Sequence, residues 1–438
     1  MSMLENNKKI LKFPKNFLWG VSTSAYQIEG GITNDWSRWE HANSARLAAE
    51  AAKRYANAPR RIKKEALAPD NYICGSACDS YNKYEEDAKL VKGLDCGAYR
   101  LGIEWARIEP EQGKWDLKEI EHYRKVLQNL KDNNLKAVLT LWHWTNPVWL
   151  ADRGGWANKE SINYYLRYVE LIVRELGDLV DFWITLNEPM AHVGFSYLLG
   201  SFPPNRKIDI IGAFKVTRNL ILAHNLAYKK IHEIIGNAQV SFTSLTDYFE
   251  PANKFNPLDI CLNSIVRYFH HRYYINRVKD QLDFIAFDYY FHQRISWLPP
   301  FRANLNKEVN DMGWEIYPEG IYYVLKYFNR FKKPIMVMEN GLADAGDEKR
   351  ADFIREHLKY VHKAISEGID VRGYFYWSLL DNFEWADGWS PKFGLYRVDR
   401  KTFARAPRPS AKVYAEICKN NMIKISNSSR HSGIPLKR

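Results

Sequence analysis

Two glutamates, Glu188 and Glu339, each follow a short apolar run of the kind that forms a buried strand. Residues 182–186 lead straight into Asn187 and Glu188, and Pro189 then ends the strand because it has no N–H to donate. A carboxylate at the end of a buried strand is costly unless its protonation is controlled. Either acid alone could be a solvated loop residue, but two acids in the same setting indicate catalytic chemistry.

Eight apolar runs of strand length can be found, and most are separated by segments with helical spacing. They lie at residues 17–25, 96–103, 136–144, 182–186, 239–248, 283–290, 334–341 and 371–381. The runs are continuous rather than alternating, which is typical of parallel strands buried on both faces. This pattern fits a closed barrel or a large doubly wound sheet. The G-x-G-x-x-G fingerprint is missing after the first run, so we predict an α/β fold, a (β/α)8 TIM barrel.

The predicted barrel forms a single domain over residues 1–420 with insertions in its loops. A basic, alanine-rich insertion near residues 43–72 predicts a surface helix, and residues 291–317 form a long loop after the sixth run. Loops that follow barrel strands lie on the catalytic face, so both segments are candidates for the rim of a pocket. Residues 421–438 are polar and basic and predict a weakly ordered tail.

Polar and aromatic side chains stand at the carboxyl ends of most of these runs, where a barrel places its active site. They are Gln27, Glu29, Arg100, His143, Trp144, Asn187, Glu188, Asp288, Tyr289, Tyr290, Glu339, Asn340, Trp377, Asp381, Glu384 and Trp385. Paired carboxylates among amides, an imidazole and aromatic rings indicate a carbohydrate hydrolase, since amides and acids bind hydroxyls while indoles stack on sugar faces. A metal-dependent hydrolase would need a convergent His/Asp cluster, and neither H-E-x-x-H nor G-x-S-x-G occurs.

Composition narrows the classes of partner. The net charge is +12, but much of the excess lies at residues 53–64 and in the last twenty residues, without the basic stripe and interleaved aromatics of a nucleic-acid site.

Five cysteines fit a reducing compartment better than a disulfide framework. No run approaches the eighteen apolar residues of a membrane span, and no signal-peptide core is present. We expect a cytoplasmic protein that binds neither nucleic acid nor membrane.

Four motifs together resemble glycoside hydrolase family 1, the β-glucosidase family, over residues 13 to about 420. FLWGVSTSAYQIEGG is similar to its N-terminal signature, TLNEP and MENG to its acid/base and nucleophile motifs, and YWSLLDNFEWADGWSPKFGL to its sugar-binding stretch. The resemblance implies a retaining β-glycosidase, foremost a β-glucosidase and also a β-galactosidase or β-fucosidase. It implies Glu339 as nucleophile, Glu188 as acid/base, and no cofactor or metal. The substrate would be a small β-glycoside or a short β-linked oligosaccharide.

Matching the chain to the family motifs position by position also implies which side chains bind the substrate. These are Gln27, His143, Trp144, Asn187, Tyr290, Trp314, Trp377, Glu384, Trp385 and Phe393. Arg100 and Tyr290 match residues that hold the nucleophile ionised. The carboxylate of Glu384 would repel a 6-phosphate, which favours a non-phosphorylated glycoside.

The chain departs from the family pattern at two positions beside the acids. Asp288 stands where the family usually has Asn, and Met338 where it has Thr or a similar residue. Like charges close together resist joint ionisation, so we hypothesise that Asp288 is either protonated or paired with an arginine. A transglycosylase with the same residues, or a carbohydrate-binding pseudoenzyme on the same barrel, are the alternative functions.

Overall fold

The computed structural model describes residues 9–55 and 60–425. Its β-strands, numbered in chain order, are β1 (Lys9–Lys12), β2 (Leu18–Ser22), β3 (Ala98–Gly102), β4 (Lys136–Thr140), β5 (Phe182–Asn187), β6 (Val240–Leu245), β7 (Tyr248–Pro251), β8 (Ile285–Asp288), β9 (His292–Ile295), β10 (Ile335–Asn340), β11 (Val371–Trp377), β12 (Tyr396–Val398), β13 (Arg405–Pro407) and β14 (Met422–Ile425). Eight of them close into a parallel barrel in the order β10-β11-β2-β3-β4-β5-β6-β8. Each barrel strand falls within or overlaps one of the eight apolar runs, which confirms the predicted TIM barrel.

The α-helices pack mainly around the outside of this barrel. They are α1 (Ala25–Glu29), α2 (Asp35–Arg54), α3 (Arg60–Ala66), α4 (Ser80–Gly93), α5 (Trp105–Ile108), α6 (Leu117–Asp132), α7 (Val148–Asp152), α8 (Ser161–Leu176), α9 (Pro189–Val193), α10 (Ile210–Ile234), α11 (Pro257–Arg267), α12 (Tyr273–Val278), α13 (Glu319–Asn329), α14 (Arg350–Ser366) and α15 (Pro409–Asn420). In α8 the residues at helical spacing, Ile162, Tyr165, Val169 and Val173, are buried. In the described ranges none of these helices combines the length and apolarity needed to cross a bilayer.

The interior of the barrel is filled by apolar side chains and is not a channel. One cluster draws on strands all around the ring: Ala98, Val138, Ile184, Phe284, Ala286, Met336, Met338 and Phe375. Met338, the departure from the family pattern, is fully buried in this cluster. The polar side chains at the strand ends therefore stand on a packed apolar floor, as is typical of this architecture.

The basic insertion differs from the single surface helix that its sequence predicts. Two helices, α2 and α3, occupy this segment, and their apolar sides are buried through residues such as Leu47 and Ile62. Two of its charged side chains form ion pairs with the loop after β11: Arg54 pairs with Asp387 at 2.7 Å, and Glu65 pairs with Lys392 at 3.0 Å. The sequence predicted that this segment is helical. The way in which the helices dock against the loop after β11 depends on partners more than 300 residues away in the chain.

The first residues of the predicted tail are ordered rather than weakly ordered. Residues 422–425 form β14, which pairs antiparallel with β1 so that Ile423 stands opposite Leu11. Ile423 is 1% exposed, because this short ribbon covers the apolar surface beside α14 and α15. Residues 426–438, the remainder of the predicted tail, lie outside the described residues.

The docking of β14 can be tested by truncating its buried side chain. We expect Ile423→Ala to lower the free energy of unfolding by about 2–5 kcal/mol, the usual loss for a large buried aliphatic residue. Urea unfolding followed by tryptophan fluorescence would measure it. Lys424→Ala, at the exposed neighbouring position, is the matched control and should change stability by less than about 0.5 kcal/mol. Equal effects of the two substitutions would contradict a packed β14.

Candidate active site

Glu188 is placed by the sharp turn that ends β5. Its backbone has φ 42°, a left-handed conformation that costs a non-glycine residue about 1–3 kcal/mol. The turn is held by the Glu188 N–H, which donates to the Thr243 carbonyl on β6 at 3.0 Å, and by Pro189, which starts α9. The proline therefore stops the strand as predicted. The side chain of Glu188 is left 4% exposed at the mouth of the barrel.

Glu339 is the next-to-last residue of β10, and two hydrogen-bond donors hold its carboxylate. Its Oε2 accepts from the Tyr290 hydroxyl at 2.9 Å, and its Oε1 accepts from Nη1 of Arg100. The next residue, Asn340, is fixed through the Tyr289 carbonyl at 2.7 Å and the Tyr374 hydroxyl at 2.8 Å. The residue after Asn340 is Gly341. A larger residue would not fit there, because its Cβ atom would lie 1.8 Å from the Trp377 carbonyl oxygen.

Arg100 connects the polar groups of four strands. Its guanidinium is fully buried and donates from Nη1 to Glu339, from Nη2 to Asn187 Oδ1, and from Nε to Thr140 Oγ1 at 3.2 Å. The carboxylate of Asp288 lies 3.9 Å away. Buried charge is tolerated only where it is paired and hydrogen-bonded, and Arg100 meets both conditions.

The hydrogen bonds of Asn187 fix the protonation of His143. Asn187 Oδ1 accepts from Arg100 and, at 2.7 Å, from Thr243, so its Nδ2 must be the atom that donates to His143 Nε2 at 3.1 Å. Burial and the charge of Arg100 hold the pKa of His143 well below its usual range. The imidazole is thus neutral with its proton on Nδ1, and within the described chain Nδ1 has no partner. It is available to donate to a ligand.

Aromatic side chains form two walls beside the acids. On one side His143 stacks near Trp377 and Trp385, with centroid distances of 6.3 and 5.7 Å, and Trp144 lies 5.0 Å from Trp385. On the other side Tyr290, Trp314 and Phe393 stand 6.0–6.3 Å apart. The Trp144 N–H is already used on the Asn187 carbonyl at 3.1 Å, so this indole supports the site through packing.

Gln27 and Glu384 lie together at the edge of the first wall. Gln27 Nε2 donates to the Phe383 carbonyl at 2.7 Å and to Glu384 Oε2 at 3.4 Å, while its Oε1 accepts from Ser24 at 2.6 Å. Burial, then the charges of Asp387 and Glu339, hold the pKa of Glu384 well above its usual range. These acceptors and donors suit the hydroxyls of a neutral polyol.

The three acids of the site have different proton affinities. Burial, Asp288 and Glu339 raise the pKa of Glu188 well above its usual range, and Arg100 only partly opposes this. Burial and the charge of Glu339 raise the pKa of Asp288 similarly. Burial also raises the pKa of Glu339, but Arg100 and the Tyr290 hydroxyl bond its charged form directly and oppose that rise. Glu339 is therefore the first of the three to ionise.

Some of the side chains that we predicted at the site from their position near strand ends lie outside it. Glu29 turns away to bind Arg107 at 2.9 Å and Tyr123 at 2.8 Å, and Asp381 is paired with Arg408 at 2.8 Å. Asn340 and Tyr289 are also engaged elsewhere, Asn340 with Tyr374 and the Tyr289 hydroxyl with the Tyr317 carbonyl. The side chains assigned to catalysis, nucleophile support and substrate binding do converge on one mouth. Sequence reasoning missed Thr140, Thr243, Trp36 and Phe202, which brace Arg100, Asn187 and Trp385. A threonine in a strand gives no signal of such a role.

Glu188, Asp288 and Glu339 are also, in the described part of the chain, the one cluster with metal-ligand spacing, with carboxyl oxygens within 4.8 Å of one another. A divalent cation there would stand against the guanidinium of Arg100, which already bonds Glu339 and lies 3.9 Å from Asp288. Repulsion between the two cations disfavours a metal at this position. Arg100 supplies the compensating charge instead.

Comparison with known proteins gives concordant relatives. The family model described as "Glycosyl hydrolase family 1" matches residues 9–304 and 275–423. A 1,4-beta-D-glucan glucohydrolase of Thermotoga neapolitana is 33% identical over 459 residues, covering 94% of this chain and 99% of the relative. A beta-glycosidase structure from Pyrococcus horikoshii is 34% identical with a TM-score of 0.83, over 95% of this chain and 97% of that one.

A third relative carries a ligand. A beta-glucosidase structure from Thermotoga maritima in complex with glucoimidazole has a TM-score of 0.82 at 31% identity, over 94% of this chain and 99% of that one. The match of family model, sequence and barrel extends over nearly the whole chain, so it is not the likeness of one shared motif. The protein belongs to glycosyl hydrolase family 1 and is an O-glycosyl hydrolase.

Proposed function

We propose that this protein is a retaining β-glycosidase that hydrolyses non-phosphorylated β-glucosides, with Glu339 as nucleophile and Glu188 as acid/base. The observation that carries the proposal is the closeness of these two acids: one oxygen of each carboxyl group lies within 4.8 Å of an oxygen of the other. Retaining enzymes hold their carboxyl groups about 5–5.5 Å apart, whereas inverting enzymes need about 6.5–9.5 Å to admit a water molecule. The close pair supports direct attack on the anomeric carbon.

In the first step a carboxylate oxygen of Glu339 attacks the anomeric carbon while the bond to the leaving oxygen breaks. Glu188 gives its proton to that oxygen, so the aglycone leaves as a neutral alcohol. Arg100 and Tyr290 orient the Glu339 carboxylate and keep it ionised before attack. The product is a glycosyl ester on Glu339 with Glu188 ionised.

The second step reverses these roles. Esterification removes the negative charge of Glu339, and this lowers the pKa of Glu188 because one of the charges that raised it is gone. Glu188 can then take a proton from water, whose oxygen attacks the anomeric carbon and releases Glu339. Two inversions leave the product with the β configuration of the substrate.

Neighbouring side chains support a glucose-sized, uncharged sugar as the substrate. The His143 N–H, Gln27 and Glu384 offer hydroxyl partners, and Trp377 and Trp385 offer faces for stacking. A phosphate at the sugar 6-position would meet the Glu384 carboxyl rather than a cation. The named activities of the Thermotoga relatives, a glucan glucohydrolase and a beta-glucosidase, favour glucose over galactose or fucose.

A cytoplasmic site of action is also part of the proposal. All five cysteines are free, and Cys74, Cys78, Cys96 and Cys418 are buried, which fits a reducing compartment. The substrate would then be a small imported or internally released β-glycoside or β-linked oligosaccharide.

Glu339→Gln should reduce hydrolysis of 4-nitrophenyl β-glucoside to background, because an amide cannot form the glycosyl ester. Glu29→Gln is the matched control: it also removes a buried acid, here at the end of α1, but one that bonds Arg107 and Tyr123, and it should stay active. Activity would be measured with fluorescence unfolding as a check on folding. A 2-deoxy-2-fluoroglucoside should label Glu339 in the unaltered enzyme. Retained activity in Glu339→Gln, or a label elsewhere, would refute the assignment.

The pH dependence distinguishes the two acids. Glu188 must be protonated and Glu339 ionised, so kcat/KM should fall as pH rises through the pKa of Glu188 and fall as pH drops through that of Glu339. Glu188→Gln should lose about 10²–10⁴-fold for an alkyl glucoside and much less for a dinitrophenyl glucoside, whose leaving group needs no proton. The basic limb should vanish with that activated substrate. A basic limb that persists unchanged would exclude Glu188 as the acid.

A further inference from the structure

A third carboxyl group, that of Asp288, lies beside the two proposed catalytic acids. Asp288 ends β8 and stands opposite Glu339 in the register of β8 and β10. Its side chain is fully buried, and an oxygen of each of the three carboxyl groups lies within 4.8 Å of the other two. The reaction proposed above uses only two of these acids.

Within the described chain no N–H or hydroxyl group donates a hydrogen bond to either carboxyl oxygen of Asp288, and the nearby Thr243 hydroxyl donates to Asn187 instead. The nearest cation, Arg100, lies 3.9 Å away, and each of its three guanidinium nitrogens already donates to Glu339, Asn187 or Thr140. The Tyr290 hydroxyl is likewise committed to Glu339. An ionised Asp288 would therefore be a buried and unsolvated negative charge, which is among the most costly arrangements in a protein.

The titratable groups that face Asp288 come from several elements. Arg100 projects from β3, Glu188 follows β5, Glu339 lies on β10 and Tyr290 follows β8, while His143, after β4, is neutral. With Arg100 protonated and Glu339 ionised, the charges of that pair cancel. Any further negative charge on Glu188 or Asp288 is then uncompensated. The cluster is neutral only when both of them carry protons.

We propose that Asp288 is a positioning residue that shares protons with Glu188, so that the two carboxyl groups act as one acid pair and Glu188 keeps a transferable proton to higher pH. This inference rests on the proposed function. As pH rises, the pair first loses one proton, and the remaining proton bridges the two carboxyl groups. Loss of the second proton is resisted because the pair already carries a negative charge.

The pair also accounts for the second half of the reaction. Below the pH at which the pair loses its first proton, both groups carry protons, and Asp288 can donate its O–H to the Glu188 carboxylate once Glu188 has given its proton to the leaving oxygen. Glu188 then accepts the proton of the attacking water, and Asp288 retains its own proton throughout. No proton is gained or lost by the pair over a turnover, and no further reactant is needed.

The test compares Asp288→Asn with the unaltered enzyme, with EDTA present throughout. Asparagine has nearly the same shape, cannot ionise, and can donate an N–H to the Glu188 carboxylate. We expect the basic limb of kcat/KM to move to lower pH by about 1–2 units, the size of one lost charge interaction at this distance. The acidic limb should stay in place, since Glu339 titrates while Asp288 still holds its proton.

Asp247→Asn is the matched control. Asp247 is a buried acid just beyond β6, and its carboxyl bonds Gln293 at 3.2 Å and none of the three acids of the site. Both limbs should be unchanged in this variant. If Asp288→Asn leaves both limbs in place, or moves the basic limb upward, the shared proton is refuted. A shift that appears only when EDTA is omitted would assign the cluster to a cation and also overturn the proposal.

Infrared spectroscopy gives a readout that does not depend on turnover. The protonated-carboxyl band at neutral pH should be weaker in Asp288→Asn than in the unaltered protein, and unchanged in Asp247→Asn. If the variant does not fold, the same band can be titrated in the unaltered protein. Loss of the band well below neutral pH would refute the shared proton. If Asp288→Asn is active and both limbs of its pH profile are unchanged, the shared proton is refuted while the proposed function stands. A protein with no glycosidase activity removes the proposed function, and the difference in the infrared band between Asp288→Asn and the unaltered protein still tests the pair.

Discussion

The buried guanidinium of Arg100 is the charge on which the site depends. It is one cation among three carboxyl groups that are within 4.8 Å of one another and shielded from water. Removing one partner of a buried ion pair typically costs about 3–5 kcal/mol, because the remaining charges are left uncompensated. Arg100 must therefore be held rigidly. Donation to side chains on β4, β5 and β10 provides that restraint and ties the barrel strands together at their carboxyl ends.

The same cation makes two chemically identical side chains different. Glu339 receives hydrogen bonds from Arg100 and Tyr290 to its charged form, whereas burial and neighbouring negative charges dominate the surroundings of Glu188. One carboxyl group is thus favoured as an ion and the other as an acid, which is the division of labour that a double displacement needs. Both depend on the apolar packing of the barrel interior beneath them, since a low-polarity environment strengthens each of these interactions.

Segments far apart in the chain build the walls above this floor. Trp385 and Glu384 lie on the loop after β11, and Trp385 packs on Trp36 of α2 at 4.7 Å. The basic insertion secures the same loop through Arg54 and Asp387. A segment whose sequence predicts a solvent-exposed basic helix therefore helps to position an aromatic wall of the site, so the stability of this segment and the geometry of the site are linked.

The sequence by itself determined the features that depend on neighbouring residues: eight continuous apolar runs, a proline that stops β5, and acids and amides at strand ends. It also supplied enough motif to place the chain in its family. Only the tertiary structure decided which of those end groups meet. Glu29 and Glu188 both follow apolar runs, yet one is neutralised by Arg107 and the other faces Asp288. Closure of the barrel sets these distances, because the electrostatic energy of a buried acid depends on partners that lie tens to hundreds of residues away along the chain.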